Sequence, residues 1–397
     1  MYIYIIAICL LVFGIGVYFK LKYGFWLYQP VVHLYDLHYM MFPPGIINKE
    51  LPKQNKYTNF KDIETTILND MTELKISDLI HFIKHHYLRE GKNTFLPSKE
   101  NVMPYFKSHD THCFFTRYTT PQFLNDTKNN SIVEIKKTIG IITSRPLHVI
   151  INNKNTPTKF DVYYVDYLCV DATKRKMGIA SQLIQTHEYN QRHINPNIKV
   201  SLFKREDELT GIMPLCIYKT YGFSVDKWTK PSTLNAMYSI IEIGTQNTHL
   251  LHDYIKESTP LFNIIILANI SNIVELIKTN NIYIRIILFQ DKCKCAYFFK
   301  KTNTFVDTNM EVLTSVASIQ SPDLLDDIFI QGFKISFWDI ANKYNFGFSA
   351  IENISHNNKI ITNISIKTHP LVISPTAYFF YNYGVNSVDS KNVLILN

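Results

Sequence analysis

The stretch VDYLCVDATKRKMGIASQLIQ, Val165 to Gln185, constrains the possible folds of this chain more than any other. Residues 162–170 (VYYVDYLCV) are rich in Val and Tyr and predict a buried strand ending at Asp171. Residues 179–189 carry Ile179, Leu183 and Ile184 at helical spacing. Between them, Arg175, Lys176, Met177, Gly178, Ile179 and Ala180 have the form R-x-x-G-x-A, with Ser181 next. A strand, a basic loop and a helix N-terminus make an anion site, because free backbone N–H groups point outward and the helix dipole adds positive potential. Gly178 would let a ligand approach the backbone with no Cβ in the way. An ordinary strand–loop–helix with solvated lysines has the same local pattern, so the rest of the chain must decide between them.

With 397 residues, 46% of them hydrophobic, the chain is long enough for two ordinary domains. A net charge of +8 suits an anionic ligand or a membrane surface. It is spread too thinly for a nucleic-acid binder, and no helix-turn-helix or aromatic–basic RNA motif is present. The six cysteines are irregularly spaced, and Cys293 and Cys295 lack a second Cys or His pair, so reduced thiols and no metal are expected. Residues 2–19 (YIYIIAICLLVFGIGVYF) are uncharged and as a helix would span roughly 27 Å, close to a hydrocarbon core. Neither a basic n-region nor a small-residue cleavage site marks a signal peptide. Lys20 and Lys22 follow the span, which predicts a single-pass membrane anchor with the body on the cytoplasmic side.

Beyond an irregular arm at 20–60, the pattern predicts a helix over 61–90, strands at 113–118, 132–144 and 147–152, and a turn at 125–130. After the 162–170 strand and the 179–190 helix come a strand at 198–203 and a short helix ending at Tyr221-Gly222-Phe223. From about 230 the mixture returns. Apolar runs lie at 261–267 and 283–289, a helix at 335–344, and closing strands at 376–383 and 392–397. A second α/β domain is expected.

Four blocks, in order, resemble glycylpeptide N-myristoyltransferases, tandems of two GNAT-like acyltransferase folds. They are Tyr23-Gly24-Phe25-Trp26-Leu27-Tyr28-Gln29-Pro30-Val31, Val165 to Val170 with its basic loop, Ala341 to Phe346 with Ile351-Glu352-Asn353, and Tyr378 to Tyr383 through Val393-Leu394-Ile395-Leu396-Asn397. The resemblance implies an α/β (α+β) fold of two tandem GNAT-like domains preceded by one transmembrane helix. The divisions would be an anchor at 1–20, a CoA-contacting arm at 21–60, an acyl-CoA-binding domain at 61–230 and a peptide-binding domain at 231–397.

It also implies transfer of a myristoyl group from myristoyl-CoA, a co-substrate and not a prosthetic group, to the N-terminal glycine of a protein. Tyr23, Phe25 and Trp26 would lie against CoA, and Val170 and Arg175 to Ser181 would hold its pyrophosphate. The amides of Tyr167 and Leu168, side chains in the core, would form the oxyanion hole. The α-carboxylate of Asn397 would accept the proton of the glycine amine. Tyr87, Phe95, Asp166 and Phe203 would face the peptide, and the protein would act as a monomer.

Three departures bear on this. Phe203-Lys204-Arg205-Glu206 replaces the family's Tyr-Thr-Ala-Gly, Asp166 stands where it has Asn, and His86 to Lys92 replaces its acidic peptide loop. Two other functions remain open: a GNAT N-acetyltransferase using acetyl-CoA, and a catalytically inactive membrane protein that binds acyl-CoA or acylated peptides.

Overall fold

The computed structural model describes residues 2–87, 93–126, 131–152, 156–206, 211–226, 228–307 and 310–397. The first half holds β1 (Gly45–Ile46), β2 (Ile63–Ile67), β3 (Thr94–Phe95), β4 (Phe114–Asp126), β5 (Ser131–Ile151), β6 (Thr158–Val170), β7 (Val200–Glu206) and β8 (Cys216–Ser224). The second holds β9 (Tyr238–Glu242), β10 (Ile264–Leu267), β11 (Ile282–Phe289), β12 (Lys292–Val306), β13 (Met310–Gln320), β14 (Phe346–Glu352), β15 (Val372–Tyr381), β16 (Tyr383–Gly384) and β17 (Val393–Leu396). The helices are α1 (Tyr2–Tyr23), α2 (Leu37–Met41), α3 (Glu73–His86), α4 (Lys99–Val102), α5 (Ile179–Ile194), α6 (Thr248–Ser258), α7 (Ile270–Lys278), α8 (Asp326–Tyr344) and α9 (Asn357–Lys367).

One continuous sheet runs through both halves in the order β17-β10-β5-β6-β7-β15-β8-β14-β13-β12-β11-β9. The halves exchange strands. β15 sits between β7 and β8, and β10 lies between β5 and the final strand β17. The β-branched and aromatic content of these strands suits burial on both faces. The largest apolar cluster accordingly mixes the halves, joining Leu147, Val162 and Leu202 to Ile264, Ile286 and Leu394. Helix α5 docks its apolar stripe on β5 through Ile179 and Leu183. Gly140 permits this approach, since a Cβ there would come within 2.8 Å of Leu183 and 3.1 Å of Ile179.

Several local expectations fail for tertiary reasons. The helix expected over 61–90 begins only at Glu73, where Thr72 caps it; Ile63–Ile67 is instead a strand paired with β4. Residues 88–90 of that expectation, and most of the turn at 125–130, lie outside the described residues. The two strands expected at 132–144 and 147–152 are one strand, β5. The short helix expected before Phe223 is strand β8, held between β14 and β15 by ladders on both sides. Such ladders override a local helical pattern.

Helix α1 follows the apolar run, and its side chains are uncovered: Tyr4 is 76% exposed, Leu10 66% and Phe13 70%. Among the described residues, however, no helix is long and apolar enough to cross a membrane, so the expected span at 2–19 finds no support there. The side chains of residue 3 and of 19–23 lie outside the described set.

Candidate active site

Neither ladder of β6 is regular at Asp166. Against β5 the register jumps from Ile142↔Leu168 to Ser144↔Val165, so Asp166 and Tyr167 together oppose Thr143 in a bulge. Against β7 the parallel pairing ends at Val165↔Phe203. Beyond that point β7 pairs with β15 and β6 with β5, and the two strands form a fork.

The arm reaches this fork. Trp26 stacks on Phe203 at 5.8 Å between ring centroids, and Phe203 stacks on Phe379 at 5.2 Å. Phe25 packs edge-on against Trp26 and Tyr57. Two hydrogen bonds anchor the segment that follows: Tyr381 Oη donates to Gln29 Oε1 at 2.6 Å and the Asn382 amide to the Pro30 carbonyl at 2.7 Å. The side chain of Tyr23 lies outside the described residues.

Past Val170 the chain turns at Asp171, whose carboxylate accepts from the Thr173 amide and hydroxyl at 2.9 Å. Lys176 and Gly178 both have positive φ, +65° and +78°. Successive amides in such alternating conformations form an anion-binding concavity. No side chain caps α5, and the space beside Gly178 is open, with no heavy atom within 4 Å of a built Cβ. Met177 is 63% exposed, Ala180 and Ser181 lie half-buried in the first turn, and Arg175 donates to the His86 carbonyl at 3.3 Å. The first amides of α5 are thus uncapped by side chains, as an anion site requires.

At the bulge, the Tyr167 amide donates to Thr143 Oγ1 at 3.2 Å. Tyr167 packs edge-on against Tyr87, which in turn meets Phe95, at 5.3 and 5.5 Å. The core placement expected for both oxyanion-hole side chains holds only for Tyr167. Leu168 is 37% exposed, because the bulge shifts the alternation that would have turned it inward.

Behind the fork lies a polar cluster that the sequence motifs did not announce. Asp166 bonds the fully buried Arg145 at 2.8 Å, and the guanidinium lies 5.4 Å from the ring centres of both Tyr105 and Tyr164. Lys204 bonds Glu352 at 2.9 Å, and Tyr218 donates to the other Glu352 oxygen at 2.5 Å. Burial opposes the Lys204 ammonium, but Glu352 and Glu206 outweigh it and hold its pKa well above the usual range. Lys300 reaches in from β12, 4.6 Å over Tyr105 and 3.5 Å from the main-chain oxygen of Asn397. Burial, then the Arg145 charge, push its amine down to about 8. Asn397 arrives on β17, parallel to β10, and its side-chain amide donates to Tyr378 Oη at 3.4 Å. The one hint in the sequence was a charge interrupting an apolar strand, as in ITSRPLHVI, YFFKK and SAIEN.

A forked sheet with an uncapped helix beside it is completed by a strand from the other half of the chain. Solved structures share the overall fold. Saccharomyces cerevisiae N-myristoyltransferase with bound myristoyl-CoA superposes with a TM-score of 0.72 at 12% identity, over 95% of this chain and 99% of that one. A second structure of that enzyme gives 0.71 at 12%, over 94% and 91%. The chain has the N-myristoyltransferase fold. A tandem GNAT protein from the clavulanic acid biosynthesis pathway matches more loosely, with a TM-score of 0.53 at 10% identity over 82% of this chain and all of its own. No family model matches the sequence, and no curated protein matches it.

Within the N-myristoyltransferase fold, the structure brings Trp26, Phe203, Asp166, Tyr167 and the 175–181 loop to one end of β6, and Tyr87 and Phe95 to its flank. Lys204 and Asp166, two of the departures noted above, both lie in the polar cluster. A cavity of about 190 Å³ lined by Asp110, His148, Asp161 and Asn195 sits farther back along β5 and β6. It is below the usual range of ligand sites, roughly 300–1,000 Å³, and no residue of the bulge lines it. Among the described residues, no group of His, Cys, Asp and Glu is arranged to hold a metal.

Proposed function

We propose that this protein transfers a long-chain acyl group, myristoyl, from acyl-CoA to the N-terminal glycine amine of a peptide or protein. The reading is carried by Trp26 of the arm stacking on Phe203 where β6 and β7 part, with the helix that follows β6 beginning without a side-chain cap. CoA would lie with its pyrophosphate on the amides of residues 176–181 and its thioester at the bulge. The amides of Tyr167 and Leu168 would then hold the oxyanion, with the thioester oxygen replacing the Thr143 hydroxyl as partner of the first. Donors fixed before charge develops are worth about 10²–10³ in rate each. The Asn397 carboxylate would act on the incoming amine, and Tyr87 and Phe95 would contact the acceptor. Residues 61–230 and 231–397 would divide these tasks, the first binding acyl-CoA and the second the peptide.

The Tyr167–Thr143 hydrogen bond favours a second reading, a protein that binds acyl-CoA without turning it over. One experiment separates these and the acetyltransferase alternative: labelled myristoyl- and acetyl-CoA offered with a library of N-terminal-glycine peptides. Buried methylenes contribute about 0.8 kcal/mol each, so myristoyl-CoA should bind far more tightly than acetyl-CoA. Equal affinities would favour the acetyltransferase, and tight binding without transfer the inactive protein.

The uncovered apolar residues of α1 support membrane attachment, with the body on the cytoplasmic side where acylated products would meet lipid. A chain beginning at Lys20 should lose vesicle binding and keep acyl-CoA binding. Protection of the body from protease in sealed, cytoplasm-out vesicles would refute this orientation.

A further inference from the structure

Arg145 is among the largest fully buried side chains of the protein, and it lies beside the irregular point of β6. In the ladder Arg145 opposes Tyr164 and Ser144 opposes Val165, after which Asp166 and Tyr167 share Thr143. Arg145 Nε donates to Asp166 Oδ2 at 2.8 Å, while Nη1 and Nη2 make no hydrogen bond to the described residues. Two rings hold the guanidinium instead, with the centres of Tyr105 and Tyr164 each 5.4 Å away. The departure at Asp166, where the resembled family has Asn, is thus matched by a cation on the neighbouring strand. Desolvating two charges offsets most of their attraction, so a buried pair adds little stability, and its best-attested use is to fix register.

The register at stake is that of the bulge. Side chains alternate along a strand, so Tyr164 and Asp166 share a face of β6, the face on which Arg145 lies. The pair keeps Asp166 in that alternation, and the extra residue is accommodated at Tyr167. The Tyr167 amide has accordingly left the backbone ladder for a side chain, donating to Thr143 Oγ1 at 3.2 Å. An insertion displaced by one residue would free a different amide.

Resting on the acyl-transfer reading, we propose that Arg145 is a positioning residue: by holding Asp166 it fixes the bulge that presents the Tyr167 and Leu168 amides to the thioester oxygen. It touches neither CoA nor the acceptor and acts only through Asp166. Oxyanion donors work because they are in place before charge develops. A loosened bulge should therefore cost rate and spare binding, since the 175–181 loop and the buried acyl chain would still hold acyl-CoA.

The test uses the full chain in mild detergent, a glycine peptide, and myristoyl-CoA carrying carbon-13 at the thioester carbonyl. Amides that donate to this carbonyl lower its infrared stretching frequency, a readout of the bound complex that needs no turnover. In the unaltered protein the band should lie below that of free myristoyl-CoA. Arg145→Met should return the band toward the free value and lower kcat about 100-fold, the cost of one oxyanion donor. Its acyl-CoA affinity should stay within about two-fold of the original. Asp166→Asn keeps an oxygen to accept from Arg145, and carries the test where Arg145→Met does not fold. It should move the band in the same sense and lower kcat at least about five-fold, a neutral oxygen being the weaker acceptor. The double variant should be no worse than Arg145→Met, because the two residues act as one unit. A band unmoved in the variants, or affinity lost with kcat preserved, would overturn the proposal and leave the pair to core packing alone. An unshifted band in the unaltered protein would remove the thioester from the bulge, a different pattern that overturns the acyl-transfer reading and this proposal with it.

Discussion

The chain contains two strand–helix–strand crossovers of the same kind, and they end differently. In the first, β6–α5–β7, the parallel strands separate at Val165 and Phe203 and the helix N-terminus has no side-chain cap. In the second, β13–α8–β14, pairing likewise stops short of the end of β13, at Ser315↔Ile351. There, however, the gap is closed by the chain itself. The Ser318 amide donates to Ser355 Oγ at 3.0 Å, the His356 amide to the Ser318 carbonyl at 3.3 Å, and the Gln320 amide to His356 Nδ1 at 2.8 Å. The α8 N-terminus likewise has no side-chain cap, but its first turn carries Asp326 and Asp327, and Asp326 accepts from Lys359 at 2.7 Å. An anion has no place beside those carboxylates. On the proposed reading the first crossover, and not the second, offers the ligand site, and the second half contributes Glu352, Lys300 and β17 to the polar cluster beside it.

The largest effect should come from severing that contribution. Extending the chain past Asn397 by a short tag, or removing its last two residues, should reduce turnover at least about 100-fold and leave acyl-CoA affinity unchanged, since the proposed proton-transfer step alone is lost. Asn397→Gln should cost little. Normal kcat in a tagged protein would show that the β17 end serves the fold only.

Next, the first crossover can be made to imitate the second. Gly178→Asp places a carboxylate at the α5 N-terminus, at a φ of +78° that Asp tolerates better than branched residues. Acyl-CoA affinity should fall at least about 30-fold by titration calorimetry, whereas Asp326→Asn should leave it unaltered. Equal effects from the two would erase the distinction between the crossovers.

A smaller effect concerns the closed gap. His356 must be neutral to accept the Gln320 amide, and burial, with Lys359 nearby, lowers its pKa to about 4. Because the folded value lies below the unfolded one, near 6.5, this contribution is full above about pH 6.5 and lost as pH falls through about 4. Melting curves between pH 7.5 and 4 should therefore be flatter for His356→Gln, and acyl-CoA affinity at pH 7 should not change. A parallel pH dependence in both proteins would exclude His356 as the source. The smallest effect is expected for Lys359→Ala, at most about 1 kcal/mol, because both partners of its ion pair are largely exposed.

The sequence alone carried the strand–basic loop–helix at 165–185, the arm at Tyr23 to Val31 and the apolar terminal strand, because these depend on contiguous residues and on local periodicity. Their order along the chain was enough to suggest the architecture. It could not reveal that Ile63–Ile67 and Cys216–Ser224 are strands, since each is held by partners distant in sequence, β4 in one case and β14 and β15 in the other. The fork was equally hidden, for a bulge at Asp166 and Tyr167 leaves no mark on composition or spacing. Arg145 and Lys300 appeared only as isolated charges in apolar strands, while Lys204 and Glu352 lay in segments the resemblance singled out, with no sign that they pair. Which of them meet was decided by the exchange of strands between the halves, because ion pairing acts over a few ångströms in space and is indifferent to separation along the chain.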